Sequence, residues 1–91
     1  MQEEITLEIT YDERPIEMTI SLDQTVYYAL SQYALTAQNE NILQGHELYG
    51  EKGTIAPYLT LRIALSHGYI SQGCRLHIVE SQTKPSTSSN I

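Results

Sequence analysis

The side chains that could act as nucleophiles, general bases or metal ligands are one cysteine, three histidines and eleven carboxylates. Cys74 and His77 have a C-x-x-H spacing that could supply two zinc ligands, but a structural zinc site takes four and the chain has no second cysteine. On a strand, positions 74 and 77 also point to opposite faces. His46 and His67 are isolated in the sequence. We therefore expect no metal site, with Cys74 in a loop and His77 on the surface.

The sequence contains none of the motifs that usually carry catalysis. It has no glycine-rich phosphate loop, no nucleophile elbow and no paired carboxylates. Cys74 would need a partnered base in a cleft to act as a nucleophile, and no sequence pattern places one there. A plant-type iron–sulfur cluster needs four cysteines, and this chain has one. We predict that the protein is not an enzyme and uses no cofactor.

The net charge of −6 arises from eleven acidic residues against five lysines and arginines. Seven acids lie in the first quarter of the chain, with only Arg14 against them: Glu3, Glu4, Glu8, Asp12, Glu13, Glu17 and Asp23. Such a field repels nucleic acid and anionic membranes. The partners that remain are proteins, and a basic protein surface would be complementary. The simpler interpretation is that these acids lie on solvated strand faces and keep a small protein soluble.

Length and composition predict one domain over residues 1–80. No apolar run approaches the roughly 20 residues that span a bilayer, and the acidic start Met1–Glu4 is unlike a signal peptide. The single cysteine agrees with a reducing compartment, so a cytoplasmic protein is expected. Residues 81–91 are rich in Ser, Thr, Gln and Asn, which predicts a flexible polar tail. The sequence leaves the oligomeric state open.

The first half of the chain predicts a hairpin covered by a helix. Two runs of alternating apolar residues, one from Ile5 to Ile9 and one from Ile16 to Ile20, flank a predicted turn over residues 12–15. Asp23 or Thr25 can cap the helix that follows. Its apolar residues recur at three- and four-residue spacing and form a stripe that can cover the hairpin: Val26, Ala29, Leu30, Tyr33, Ala34 and Ala37.

The second half predicts short strands. His46 to Tyr49 reads as a strand, and Thr54-Ile55 as a brief edge strand that Pro57 interrupts. Leu59, Leu61, Ile63 and Leu65 alternate like a strand, while Ile63 to Gly68 also suits a helical turn that ends at a glycine. We expect an irregular segment with a final turn over residues 65–68. The last strand is Arg75 to Val79, with Leu76 and Ile78 inward and His77 and Val79 outward.

This order of elements resembles ubiquitin across roughly residues 4–80. The most specific part is Leu65 to Val79, with its Leu-Ser pair, Ile70 and the ending Leu-His-Ile-Val. His46 to Ser81 is also similar to small bacterial ubiquitin-like domains, including the operon domains found alongside activating-enzyme and deubiquitinase-like proteins. The accessory ubiquitin-like protein of type VII secretion systems is another similar relative. The resemblance implies an α+β protein of the ubiquitin-like β-grasp class. It implies a mixed sheet of four to five strands packed on one main helix, with a short helical turn before the last strand.

The resemblance also implies a protein-binding surface on the outer side of the sheet. The family's His and Val fall on His77 and Val79, and its Ile falls on Tyr49 if Leu48 points inward. Strand alternation independently places these three residues outward. An exposed aromatic residue beside an aliphatic one suits the centre of an interface. A chance grouping on a mixed surface is an equally open interpretation.

Conjugated members of the family end in Gly-Gly, whereas the last glycine here is Gly73, inside the domain. Conjugation and sulfur carriage are therefore not expected. The preferred interpretation is a non-catalytic interaction module, an accessory component of a bacterial multiprotein system. Two alternatives stay open: a covalent modifier or carrier with a processed or atypical carboxyl end, and a small subunit of a multicomponent enzyme.

Overall fold

The computed structural model describes residues 3–81, which form a five-stranded mixed sheet and two helices. The strand order is β2-β1-β5-β3-β4, and β1 runs parallel to β5 while the other neighbouring strands are antiparallel. The elements follow the chain as β1 (Glu4–Tyr11), β2 (Arg14–Ser21), α1 (Val26–Ala37), a 3₁₀ turn (Glu40–Leu43), β3 (His46–Gly50), β4 (Gly53–Ile55), α2 (Leu61–Ser66) and β5 (Arg75–Glu80). The predicted α+β architecture is confirmed.

The β1–β2 hairpin has the predicted alternation. Apolar residues face each other across it, as in the pairs Ile5↔Ile20, Leu7↔Met18 and Ile9↔Ile16. The turn is shorter than predicted, because Arg14 and Pro15 already belong to β2 and pair with β1. Only Asp12 and Glu13 form it, with φ of 54° and 63°. Positive φ at both central residues gives a turn whose twist matches that of the two strands.

The helix α1 begins at Val26 and is preceded by Thr25, whose Oγ1 accepts a hydrogen bond of 3.1 Å from the amide of Tyr28. Thr25 is thus the cap, rather than Asp23. The predicted stripe packs on the inner face of the sheet, and within the helix Tyr33 is fully buried. The Tyr33 hydroxyl donates to the carbonyl oxygens of Tyr11 and Arg14, so the helix is tied directly to the hairpin turn.

The predicted short helical turn before the last strand is confirmed, but it begins earlier than residue 65, because residues 61–64, which the sequence predicts to be irregular, are helical. The chain forms α2 over Leu61–Ser66, capped by Thr60, whose Oγ1 accepts from the amide of Ile63 at 3.2 Å. Leu61 and Ala64 are buried while Ile63 is exposed, which is a helical spacing. Backbone bonds to the β2–α1 connection hold its first turn, since the Leu61 amide donates to the carbonyl of Gln24.

The strand β5 lies at the middle of the sheet, between β1 and β3. Its inner residues Leu76 and Ile78 are buried as predicted, and the strand continues one residue beyond Val79. Ser81, the first residue of the predicted tail, donates its amide to the carbonyl of Gly45 at 2.7 Å. The rest of that tail lies outside the described residues. Within residues 3–81, no helix is long and apolar enough to cross a membrane.

Candidate protein-binding surface

The strand pairing brings Tyr49 and His77 side by side on the outer face of the sheet. Tyr49 is the direct cross-strand partner of His77, which in turn pairs with Thr10 of β1. Leu48 is buried, so the condition for placing Tyr49 outward is met. Tyr49 is 47% exposed, and His77 is exposed as well. The predicted grouping of these two residues is therefore present in the structure.

Val79 lies two residues beyond His77 on the same face and is half-buried, opposite Glu47 of β3. Together with Tyr49 and His77 it lines an open depression. The other side chains around this depression come from the end of β1 and the hairpin turn: Thr10, Asp12 and Glu13. The three predicted residues thus share one surface with an acidic rim. We call it the outer depression.

The charges on the outer face are partly paired. Glu8 lies directly opposite Glu17, an arrangement of like charges that is unfavourable. Arg75 of β5 lies on the other side of Glu8 and donates from Nε to Glu8 Oε1 at 2.8 Å. The Arg75 charge is therefore already engaged. Asp12 and Glu13 are exposed and make no side-chain hydrogen bond or ion pair within residues 3–81.

The fold is shared with solved structures of low sequence identity. A structure described as molecular mimicry of SUMO that promotes DNA repair matches with a TM-score of 0.72 at 15% identity, over 87% of this chain and 94% of that chain. Ubiquitin from Caldiarchaeum subterraneum matches with a TM-score of 0.68 at 12% identity, over 88% and 96% of the two chains. The UBL domain of Plasmodium falciparum Dsk2 matches with a TM-score of 0.67 at 15% identity, over 86% and 99%. The chain has the ubiquitin-like fold.

The similarity of this chain to known proteins is found at the level of structure. No protein-family model matches the chain, and no curated protein is similar to it in sequence. Sequence identities of 12–15% to the solved structures show a common architecture. Function must therefore be argued from the residues of this chain, because one fold supports many unrelated functions.

The residues considered for metal or covalent chemistry are dispersed in the ubiquitin-like fold. Cys74 is half-buried against the core, whereas His77 lies exposed on the outer face. His67 is the C-cap residue of α2, and His46 places Nδ1 2.9 Å from the carbonyl oxygen of Gln44. In the described part of the chain, no group of three or more His, Cys, Asp or Glu side chains could hold a metal ion.

Sequence reasoning missed the contribution of the hairpin turn to the outer depression. The sequence places Asp12 and Glu13 in a predicted turn and among the acids of the first quarter, and nothing in it brings them beside Val79. The parallel pairing Thr10↔His77 explains why the turn lies at the depression. Two residues further along each strand, Asp12 lies beside Val79, and both line the depression. That register joins residues 67 positions apart, as the pair Thr10↔His77 shows, and local periodicity carries no information about it.

Proposed function

We propose that this protein is a non-catalytic binding module that holds a protein partner on the outer depression, around Tyr49, His77 and Val79. The observation that carries the proposal is Tyr49, which is 47% exposed on β3 although both of its neighbours on that strand are buried. Tyrosine is enriched at the centres of protein interfaces because its ring adds apolar contact area and its hydroxyl can hydrogen-bond.

The surface is also held in place before any partner arrives. His77 lies on the middle strand of the sheet, with hydrogen-bonded strands on both sides, and Tyr49 lies on the adjacent strand. Side chains that are fixed on a sheet lose little backbone freedom on binding, so more of the contact energy contributes to affinity. The outer depression is open and preformed, which suits protein binding better than catalysis, because active sites usually lie in enclosed pockets.

The wider setting is part of the same proposal. We place the protein in the cytoplasm, as the single cysteine suggests, and as an accessory component of a bacterial multiprotein system. The support for this setting is the similarity of residues 46–81 to small bacterial ubiquitin-like domains. It requires no catalytic residue and no cofactor from this chain.

The experiment compares Tyr49→Glu and Val79→Glu with Tyr58→Glu as the matched control. Tyr58 is 79% exposed and does not line the outer depression. Tagged full-length chains are used to capture partners from the native host, under native and fully denaturing conditions. We expect the unaltered chain and Tyr58→Glu to capture the same partners under native conditions, and the two depression variants to lose them.

The folded state should survive these substitutions, because all three positions are at least partly exposed. Each melting temperature should change by less than about 5 °C, the shift expected for about 1 kcal/mol in a domain of this size. Capture that is unchanged in both depression variants would refute the proposal. Partners that stay attached under denaturing conditions would instead show a covalent modifier.

A further inference from the structure

The acidic residues of the outer depression lie to one side of its centre, and this arrangement indicates the chemistry of its partner. Its centre consists of Tyr49, His77 and Val79, and the hairpin turn on one side carries two exposed carboxylates, Asp12 and Glu13. Across β5, Glu47 lies opposite Val79 and accepts a hydrogen bond of 2.8 Å from the hydroxyl of Ser81. Glu47 does not line the outer depression, so the acids that border its centre are those of the hairpin turn.

In the described part of the chain, the two arginines nearest to this surface do not neutralise its acids. Arg75 lies on the same face, four residues before Val79 on β5, and its side chain is hydrogen-bonded to Glu8. Arg14 follows the turn directly, yet it lines a separate depression with Thr36 and Gln38 of the helix region, on the inner side of β2. Within residues 3–81 neither Asp12 nor Glu13 has an ion-pair partner, so both carboxylates are available to a protein partner.

We propose that the outer depression binds a protein segment in which an apolar side chain contacts Tyr49 and Val79 while an adjacent lysine or arginine pairs with Asp12 and Glu13. This inference rests on the proposed function and adds the chemistry of the partner. The apolar contact supplies most of the affinity. The rim charges select basic partners and accelerate their association, since complementary charge acts mainly on encounter and specificity.

The turn itself offers a variant that removes both charges without damaging the fold. Asp12 and Glu13 have φ of 54° and 63°, a region that asparagine and glycine adopt with less strain than glutamate. The double substitution Asp12→Asn/Glu13→Gly gives the Asn-Gly sequence favoured in two-residue hairpin turns. This variant should melt at the same or a higher temperature than the unaltered chain, so loss of binding could not be attributed to unfolding.

A matched control removes two charges elsewhere. Glu40→Gln/Glu51→Gln changes the net charge by the same amount, and neither residue lines the outer depression. Glu51 accepts a hydrogen bond from the hydroxyl of Ser71, and a glutamine oxygen can still accept it. A general effect of net charge on binding would appear in both double variants, whereas a local effect would appear only in the turn variant.

The probe is a random peptide library displayed on phage and selected against the full-length chain, followed by affinity measurements on the synthesised peptides. We expect peptides that combine an apolar residue with lysine or arginine and that do not bind Tyr49→Glu. Their affinity should fall about tenfold for the turn variant, mostly through slower association and with a weaker salt dependence. The control double variant should bind as the unaltered chain does.

Three results are possible, and they separate the two proposals. Basic apolar peptides that depend on both Tyr49 and the turn charges support the inference. Peptides that depend on Tyr49 but are neutral or acidic, or that bind the turn variant equally well, overturn the inference and leave the binding surface standing. A selection that yields no peptide, or only peptides indifferent to Tyr49→Glu, overturns the proposed function and the inference with it.

Discussion

The two faces of strand β5 show how differently stability and binding depend on neighbouring strands. The inner residues Leu76 and Ile78 pack into one continuous core, and their role follows from being apolar and buried. The outer residues His77 and Val79 form a candidate binding surface only together with their neighbours, Tyr49 on β3 and the turn at Asp12. Burial is a property that alternation predicts, whereas a binding surface is a property of strand order.

The strongest test of this difference compares the unfolding free energies of two variants, each with one β5 residue truncated to alanine, on the inner or the outer face. Leu76→Ala removes a fully buried side chain and should lower the free energy of unfolding by about 2–5 kcal/mol, because a cavity remains in the core. Val79→Ala, three positions along the strand, should cost less than about 1 kcal/mol. Urea unfolding of the two variants measures both values. Equal losses would show that the outer face contributes to the core and would remove the contrast.

A smaller effect is expected where the two faces are connected. The Tyr33 hydroxyl reaches from the core to the carbonyls of Tyr11 and Arg14, on either side of the turn that borders the outer depression. Tyr33→Phe leaves both carbonyls without this donor and should cost about 1–2 kcal/mol. Amide hydrogen exchange should also accelerate at Tyr11 and Arg14, the pair that closes the turn.

Tyr28→Phe is the matched control for that change, because Tyr28 lies on the same helix and is 37% exposed. Its loss of a hydroxyl should leave stability nearly unchanged. If Tyr33→Phe is tolerated as well as Tyr28→Phe, the hydroxyl does not hold the turn. The acidic rim of the outer depression would then be positioned by the hairpin alone.

The smallest effect should come from the charges of the outer face. Arg75→Gln removes the partner of Glu8, which then faces Glu17 without compensation. Both members of the ion pair are substantially solvated, with 66% and 33% of their side chains exposed, so the loss should stay below about 1 kcal/mol. Unfolding measured at low and high salt should show the loss shrinking as salt rises.

Arg14→Gln provides the comparison for that measurement, since Arg14 is exposed and makes no ion pair within residues 3–81. It should change stability less than Arg75→Gln at low salt. A loss for Arg75→Gln that is independent of salt would mean that packing of the Arg75 side chain, and not its charge, stabilises the central strand.

The elements that the sequence predicts well are those whose pattern is long and locally determined. Eight-residue strands of alternating residues and a twelve-residue helix with a threonine cap leave little ambiguity. The sequence predicts only the end of the six-residue helix α2, as a short helical turn, because Leu59, Leu61, Ile63 and Leu65 also alternate like a strand. Thr60 caps that helix, and the bridge Thr25↔Thr60 holds its start, which is a contact that only the folded chain makes.

The candidate site also contains residues that the sequence could group and residues that it could not. Tyr49, His77 and Val79 could be grouped from alternation together with the family resemblance, and the register places them together. Asp12, Glu13 and the anchoring hydroxyl of Tyr33 could not be assigned to the site from the sequence. Their positions depend on the parallel pairing of β1 with β5 and on a helix that reaches back to the turn.

The central position of β5 has a consequence for how the chain folds during synthesis. β5 emerges from the ribosome after β1 to β4, yet it is the strand that both β1 and β3 need as a neighbour. Its pairing Glu8↔Arg75 spans 67 residues, which raises the contact order and slows folding. Before β5 is synthesised, the β1–β2 and β3–β4 hairpins each have an unpaired strand edge. The nascent chain is most prone to misassociation at this stage.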